Sequence, residues 1–332
     1  MRVTMNTIMR NYNERLSRVM YETSRSMARV TNGRLFEKPS ENPSGSVRSV
    51  QLRRLISNNE NYIANLRDTI GKYDVAEATM LKISNLAEDV HVALVAALNE
   101  VNSRDELIIY AAQIRSIQEQ MVLDANARFA DAYLYGGSST KEPPFKFENG
   151  VLYFRGIDVM SGDPMLDKLA DEKIYVDFGF GMRMDPTAPD PNEVVRGTAF
   201  NTAFPGIHFL GYGYDADGNN NNIILLLGEI ADALEDPNYT HEPPAKLLDQ
   251  LAVLRKRLLV NITQMGSATM FMNFTEKRLT DIQFNYEGKL ASTEFMDTEY
   301  AITLYEMQYT AYMAALKMGP NVITPSFIDF MR

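Results

Sequence analysis

The chain has 332 residues, with 43 acidic side chains against 33 basic ones, a net charge of −10 and no cysteine. The length exceeds one typical domain, and the lack of cysteine excludes a disulfide framework, thiol catalysis and a Cys-based metal site. The acidic balance argues against nucleic acid as a partner, because phosphate binding needs clustered positive charge.

Residues 5–30 read as a polar amphipathic helix, with Ile8, Tyr12, Leu16, Val19 and Met20 as a thin apolar stripe. So narrow a stripe is marginal in isolation. Thr31-Asn32-Gly33 is a helix stop, with Gly33 able to take φ > 0. In the turn from Pro39 to Pro43, Asn42 suits an N-cap and Pro43 the first helical position.

From Ser44 to Val101 the apolar residues Ile56, Ile63, Leu66, Ile70, Tyr73, Met80, Ile83, Val90, Leu94 and Val101 step by three, four or seven. Such a helix reaches roughly 85 Å. A further helix over 104–130 opens on Ser103 and Glu106, a capping box. After Tyr133-Leu134-Tyr135-Gly136-Gly137 the texture changes to glycine, proline and aromatics. Short strands are expected at Phe145–Phe147, Val151–Phe154, Ile174–Phe180 and His208–Tyr214. Ile223–Leu234 is helical again, and Pro237, Pro243 and Pro244 break it. The longest pattern then runs from Leu247 to Met318, through Leu251, Leu254, Leu258, Ile262, Met265, Met272, Leu279, Ile282, Tyr286 and Leu290 to Tyr300, Leu304, Met307, Ala311, Ala314 and Met318. Unbroken, it would measure roughly 105 Å. Thr293 and Asp297 fall where its seam should be apolar, and burying an unpaired carboxylate there is costly. The seam therefore divides, with an inter-domain joint expected at Glu294 and Asp297. Its counterpart is Gly33, Pro39, Asn42 and Pro43. A leucine at 297 would on this reading stabilise the free protein.

The expected fold class is mainly α with a small β-rich insert, an elongated antiparallel helical bundle built from both chain ends. Three domains follow: terminal helices 1–43 plus 291–332, loose in the monomer; a bundle of 44–137 plus 222–290; and the insert 138–221. No apolar run approaches bilayer length, so no membrane insertion is expected. Met1 to Thr4 has no apolar region suited to a cleaved signal. Composition alone reads as soluble and cytoplasmic, although some export routes use no cleaved signal.

Chemistry is sparse. His91, His208 and His241 lie far apart, and no catalytic, cofactor-binding or metal-binding set is expected. Asp215-Ala216-Asp217-Gly218-Asn219 fails the calcium-loop pattern because its glycine comes two positions early and Leu226 replaces the final glutamate. A hairpin turn is the better reading. Gly179 and Gly181 have no phosphate-binding context, and the sequons at Asn238, Asn261 and Asn273 are read as chance matches.

Both ends of the chain resemble the flagellin superfamily, and within it the hook-associated protein 3 family of hook–filament junction proteins. The resemblance rests on Arg2-Val3-Thr4, Val30 to Arg34, Pro39-Ser40-Glu41-Asn42-Pro43, and Ala125-Asn126 with Tyr133 to Gly137. Toward the C-terminus it continues in Gly266, Arg278-Leu279, Leu290, Glu294, Asp297, Ala301-Ile302, Tyr312, Ala314-Ala315 and Ser326-Phe327-Ile328-Asp329-Phe330. Asp131 stands where the family has glycine, Phe295 where it has an acidic residue, and residues 138–221 find no match. The resemblance implies a non-enzymatic structural adaptor without cofactor. It implies extracellular placement in the flagellum after type III export without a cleaved signal. The implied partners are hook-associated protein 1, flagellin, other copies within the junction, and an export chaperone with the type III apparatus. Ile8, Tyr12, Leu16, Tyr300, Leu304, Met307, Ala311, Ala314 and Met318 are the expected assembly residues. Two alternatives remain: flagellin itself, against which stand the Pro39–Pro43 turn and the Ser326–Phe330 ending, and a surface binding or hydrolytic module carried by the insert.

Overall fold

The computed structural model describes residues 5–99, 102–188, 193–195, 197–215, 217–237 and 242–323. The Arg2-Val3-Thr4 and Ser326–Phe330 motifs, His241 and Asn238 lie outside them. The chain divides into two compact units, 1–60 with 281–332, and 61–280. Two long helices, α2 (Pro43–Ala97) and α7 (Glu242–Glu294), are each shared between the units. The fold is mainly helical with small antiparallel sheets, as the periodicity requires.

In the unit 61–280, α2 buries one face through Ile63, Leu66, Tyr73, Ala76, Met80, Ile83, Ala87, Val90 and Leu94. Leu251, Leu254, Leu258, Ile262, Met265, Met272 and Leu279 of α7 join the same core. The two helices run antiparallel: Arg67 Nε meets Glu276 at 2.6 Å, Gly266 faces Glu77, and Arg255 pairs with Glu88. Helix α3 (Arg104–Ala125) starts on the Ser103–Glu106 capping box. It packs closely on α6 (Ile223–Glu235), where Gln118 Nε2 donates to Ile224 O at 2.8 Å and Arg115 holds Asp232 and Glu235 at 2.5 and 2.9 Å.

Three helix ends differ from the sequence expectation, each for a local reason. Helix α2 stops at Ala97, short of Val101, because the Asn102 amide turns back and donates to the carbonyls of Ala96 and Ala97 at 2.7 and 3.0 Å. Helix α3 stops at Ala125, not 130. The Asn126 side chain pairs in both directions with the Phe145 backbone, at 2.8 and 2.9 Å, and so ties the helix end to a strand. Pro243 and Pro244 open α7, because a helix's first turn has no amide partner for proline to lose.

The intervening segment holds the hairpin β1 (Arg128–Phe129) with β2 (Ala132–Tyr133). A three-stranded sheet follows, β3 (Phe145–Glu148), β4 (Val151–Phe154) and β5 (Ile157–Asp158), and then the pair β6 (Tyr175–Val176) with β7 (Phe200–Asn201). A short helix α4 covers Pro164–Ala170. In the β1–β2 turn the positive φ falls on Ala130 (50°), not on Asp131. The strand expected at His208–Tyr214 is instead the helix α5 (Gly206–Leu210), started after Pro205 and stopped by Gly211 at φ 89°. Two tyrosines fasten the segment to α2. Tyr135 OH donates to Ala76 O at 2.7 Å, and Tyr73 OH donates to Asn201 O at 2.7 Å. Burial holds the Tyr73 phenol neutral, its pKa pushed up to about 12.

Candidate functional site: the terminal helix pair

In the unit formed by the chain ends, α1 (Met5–Asn32) packs along α8 (Thr298–Ile323). The pair is antiparallel: Tyr12 OH donates to Ala315 O at 3.0 Å, and Thr23 Oγ1 donates to Gln308 O at 3.1 Å. On α1 the inward residues are Tyr12, Leu16, Val19, Thr23, Ser26 and Val30; on α8 they are Ala301, Tyr305, Gln308, Tyr312, Ala315 and Gly319. Both sets alternate steps of four and three, the spacing of a two-helix seam. Small residues on α8 admit the Tyr12 ring: a Cβ on Gly319 would lie 2.5 Å from its hydroxyl.

This places the sequence-derived residues individually. Tyr12 and Leu16 are half-buried on the α1 face, and Ile8 is exposed. Leu304 is half-buried. Tyr300, Met307, Ala311, Ala314 and Met318 are exposed and form a second seam on α8, offset by one residue from the inward one. One residue is about 100° of helix rotation. Helix α8 therefore presents two adjacent stripes, one against α1 and one to the outside, with Tyr300, Met307 and Met318 each more than 60% exposed. Periodicity alone could not choose between them; the small residues Ala301, Ala315 and Gly319 were the signal for the closer contact.

The connectors at the other end of the pair meet in a short β-bridge, Arg34 with Phe295. Leu35 N donates to Glu294 O at 2.7 Å, and Met296 N donates to Gly33 O at 3.0 Å. Gly33 has φ 64°, which lets the chain leave α1 at this point. Glu294, the last residue of α7, is buried. Its carboxylate accepts from Arg53 Nε at 3.0 Å, from Arg53 Nη2 at 2.6 Å and from the Ser49 hydroxyl. The Arg53 guanidinium, followed by the Ser49 hydrogen bond, holds the carboxyl below its ordinary range against the opposing effect of burial. Sequence reading found Glu294 but not Ser49 or Arg53, which nothing in the chain's local pattern marks.

The remaining residues of this region cap helices. Asn42 Oδ1 accepts from Gly45 N at 3.0 Å with Pro43 as the first residue of α2, and Pro39 is exposed in the turn before it. Asp297 Oδ1 accepts from Glu299 N and Tyr300 N at 2.8 and 3.3 Å, so it is the N-cap of α8. That role reverses the expectation for a leucine at this position. Asp297→Leu or Asp297→Ala is expected to lower stability by about 1 kcal/mol, read as a lower urea midpoint of the full chain.

Elsewhere, the calcium-loop-like segment is a turn. Asp215 Oδ1 accepts from the amides of Asp217 and Asn219 at 2.9 and 2.8 Å. Gly179 and Gly181 belong to a loop closed by Asp177, whose carboxylate accepts from Gly179, Phe180, Gly181 and Met182 amides at 2.8 to 3.2 Å. A cleft of about 310 Å³ in the 61–280 unit lies beside Tyr73, Phe204 and His208. Glu172, at its edge, is already paired with Arg155 at 3.0 Å and bonded to Ser138. His91 sits on α2 and His208 on α5. No group of three or more metal-ligating side chains occurs among the described residues. Among them, too, no helix is long and apolar enough to cross a membrane.

The class this arrangement defines is that of helical proteins whose two chain ends pair with each other. Residues 3–140 match the family model of the bacterial flagellin N-terminal helical region. Solved structures give the same fold. One is a Vibrio parahaemolyticus protein provisionally described as flagellar hook-associated, with TM-score 0.61 and 12% identity over 77% of this chain and 100% of that one. Bacillus cereus FlgL superposes with TM-score 0.53 and 17% identity over 73% and 99%. Hook-associated protein 3 of Legionella pneumophila does so with TM-score 0.51 and 13% identity over 73% and 98%. A search of curated proteins gives no match. The resemblance to the flagellin superfamily is thus found in the motifs and in the N-terminal family model, and the fold is that of these solved structures.

Proposed function

We propose that this chain is a structural, non-catalytic subunit of the bacterial flagellum that joins the hook to the filament. The observation that carries this reading is the second apolar seam of α8, left open beside the one that α1 fills. A helix pair with an uncovered stripe at heptad-like spacing is suited to packing against further helices of the same kind. In this reading Tyr300, Met307, Ala311, Ala314 and Met318, with Ile8 on α1, meet the terminal helices of neighbouring subunits. Those neighbours are other copies, hook-associated protein 1 on the hook side and flagellin on the tip side. The connectors at Gly33–Pro43 and Glu294–Asp297 form the joint between the terminal pair and the outer domains. The chain leaves the cell through the type III apparatus, held beforehand by an export chaperone.

Electron microscopy of a strain lacking the protein tests this. Complete hooks without filaments, with flagellin shed into the medium, are expected. Gold label on the restored protein should mark a single band at the hook end. Label spread along the filament would make the chain a filament subunit instead, and normal filaments in the deletion strain would overturn the assignment.

A further inference from the structure

A cleft of about 250 Å³ opens between α1 and the turn that follows it, lined by Tyr21, Arg25, Arg29, Phe36, Lys38 and Glu41 among others. It is locally basic in a chain of net charge −10. Its two glutamates are engaged: Glu41 accepts from the Glu37 amide at 3.2 Å and lies 3.6 Å from Arg25, and Glu37 accepts from Asn32 at 2.5 Å. The arginines are not correspondingly satisfied. The Nε–H groups of Arg25 and Arg29 are both buried without an acceptor. Two buried guanidinium donors lacking an acceptor, within one cleft, are costly unless an anion completes them.

The same helix pair carries the complementary group. Glu306 on α8 is exposed and makes no ion pair within the described part of the chain. Because Thr23 bonds to Gln308 across the antiparallel pair, Glu306 lies near the height of Arg25. We propose that the cleft receives a carboxylate from a second copy of this chain, namely Glu306 of a neighbour standing alongside at the same axial level. Such a contact joins different faces of identical subunits. Repeated, it closes a ring or builds a helix, and it fixes the axial level of each copy relative to the next. The bidentate geometry of arginine makes that setting specific. The proposal rests on the assembly reading above and adds the lateral partner and its chemistry.

The chain has no cysteine, so introduced thiols report unambiguously. In motile cells carrying Arg29→Cys together with Glu306→Cys in the full chain, a short bismaleimide should give covalent dimers and higher ladders. Neither single variant should. Separately, Arg29→Glu or Glu306→Arg alone should reduce incorporation of the exported protein about tenfold, and the two together should restore most of it. Circular dichroism of the purified variants confirms that each still folds. Incorporated protein with no ladder from the double-cysteine variant, or charge variants without mutual rescue, would overturn the contact while leaving the assembly reading intact. Exported wild-type protein found in no flagellar structure would overturn both.

Discussion

Gly136→Ala is expected to destabilise the 61–280 unit by roughly 3–4 kcal/mol. A Cβ at position 136 would lie 1.9 Å from the Ser139 carbonyl oxygen. That oxygen is backbone, so no rotamer change relieves the clash. Gly136 is also buried and bridges to Pro205, directly after Tyr135, whose hydroxyl is bonded to α2. Displacing this strand therefore disturbs the Tyr135 anchor and the aromatic packing of Tyr135 with Phe209. Gly150 provides the control. Its φ is 82°, but nothing lies within 4 Å of an added Cβ, so alanine there should cost about 1 kcal/mol from backbone strain alone. Urea unfolding of the full chain, with the midpoint and slope of each variant compared, separates the two.

Arg53→Ala should cost about 2 kcal/mol in the unit of the chain ends, because it strands the buried Glu294 carboxylate with only Ser49 as a side-chain donor. Arg53 is half in solvent, which limits the effect below that of a fully enclosed pair. Glu294→Gln keeps one acceptor oxygen, turns the other position into an NH2 donor and removes the buried charge, and should cost about half as much. The pair also has a signature in pH. The carboxyl is held below its ordinary value in the folded protein. Its contribution is complete above the unfolded carboxyl pKa and is lost as pH falls through the lowered folded one. Wild-type stability should accordingly decline on acidification below about pH 4.3, with a component missing from Glu294→Gln. Parallel pH profiles for the two proteins would contradict this account of Glu294.

The helices were the most legible part of the sequence. Their apolar residues recur at three- and four-residue steps, and caps such as Ser103–Glu106 and Asn42–Pro43 are local signals that tertiary structure has no reason to override. The segment around 208–214 was not legible, because Phe209, Leu210, Tyr212 and Tyr214 satisfy both a strand and a short helix. Pro205 and Gly211 decide the outcome by setting where a turn of helix starts and stops. The loop after Asp177 was opaque for another reason: its order comes from one carboxylate accepting several amides, a geometry with no sequence period. At the candidate site, the break before α8 was readable from Asp297. Its cause, an N-cap beside a bridged connector and the ion pair from Glu294 to Arg53, joins residues 241 positions apart.

The claim that most needs testing is that the chain ends carry assembly. Amide exchange of residues 12–30 and 301–319, in the free protein and again in isolated hook–filament structures, measures it directly. The inward seam of each helix is thin and partly polar, so fast exchange is expected in the free protein. Strong protection is expected in the assembled one, extending to the amides of Met307, Ala311 and Ala314. Equal protection in both states would contradict the account.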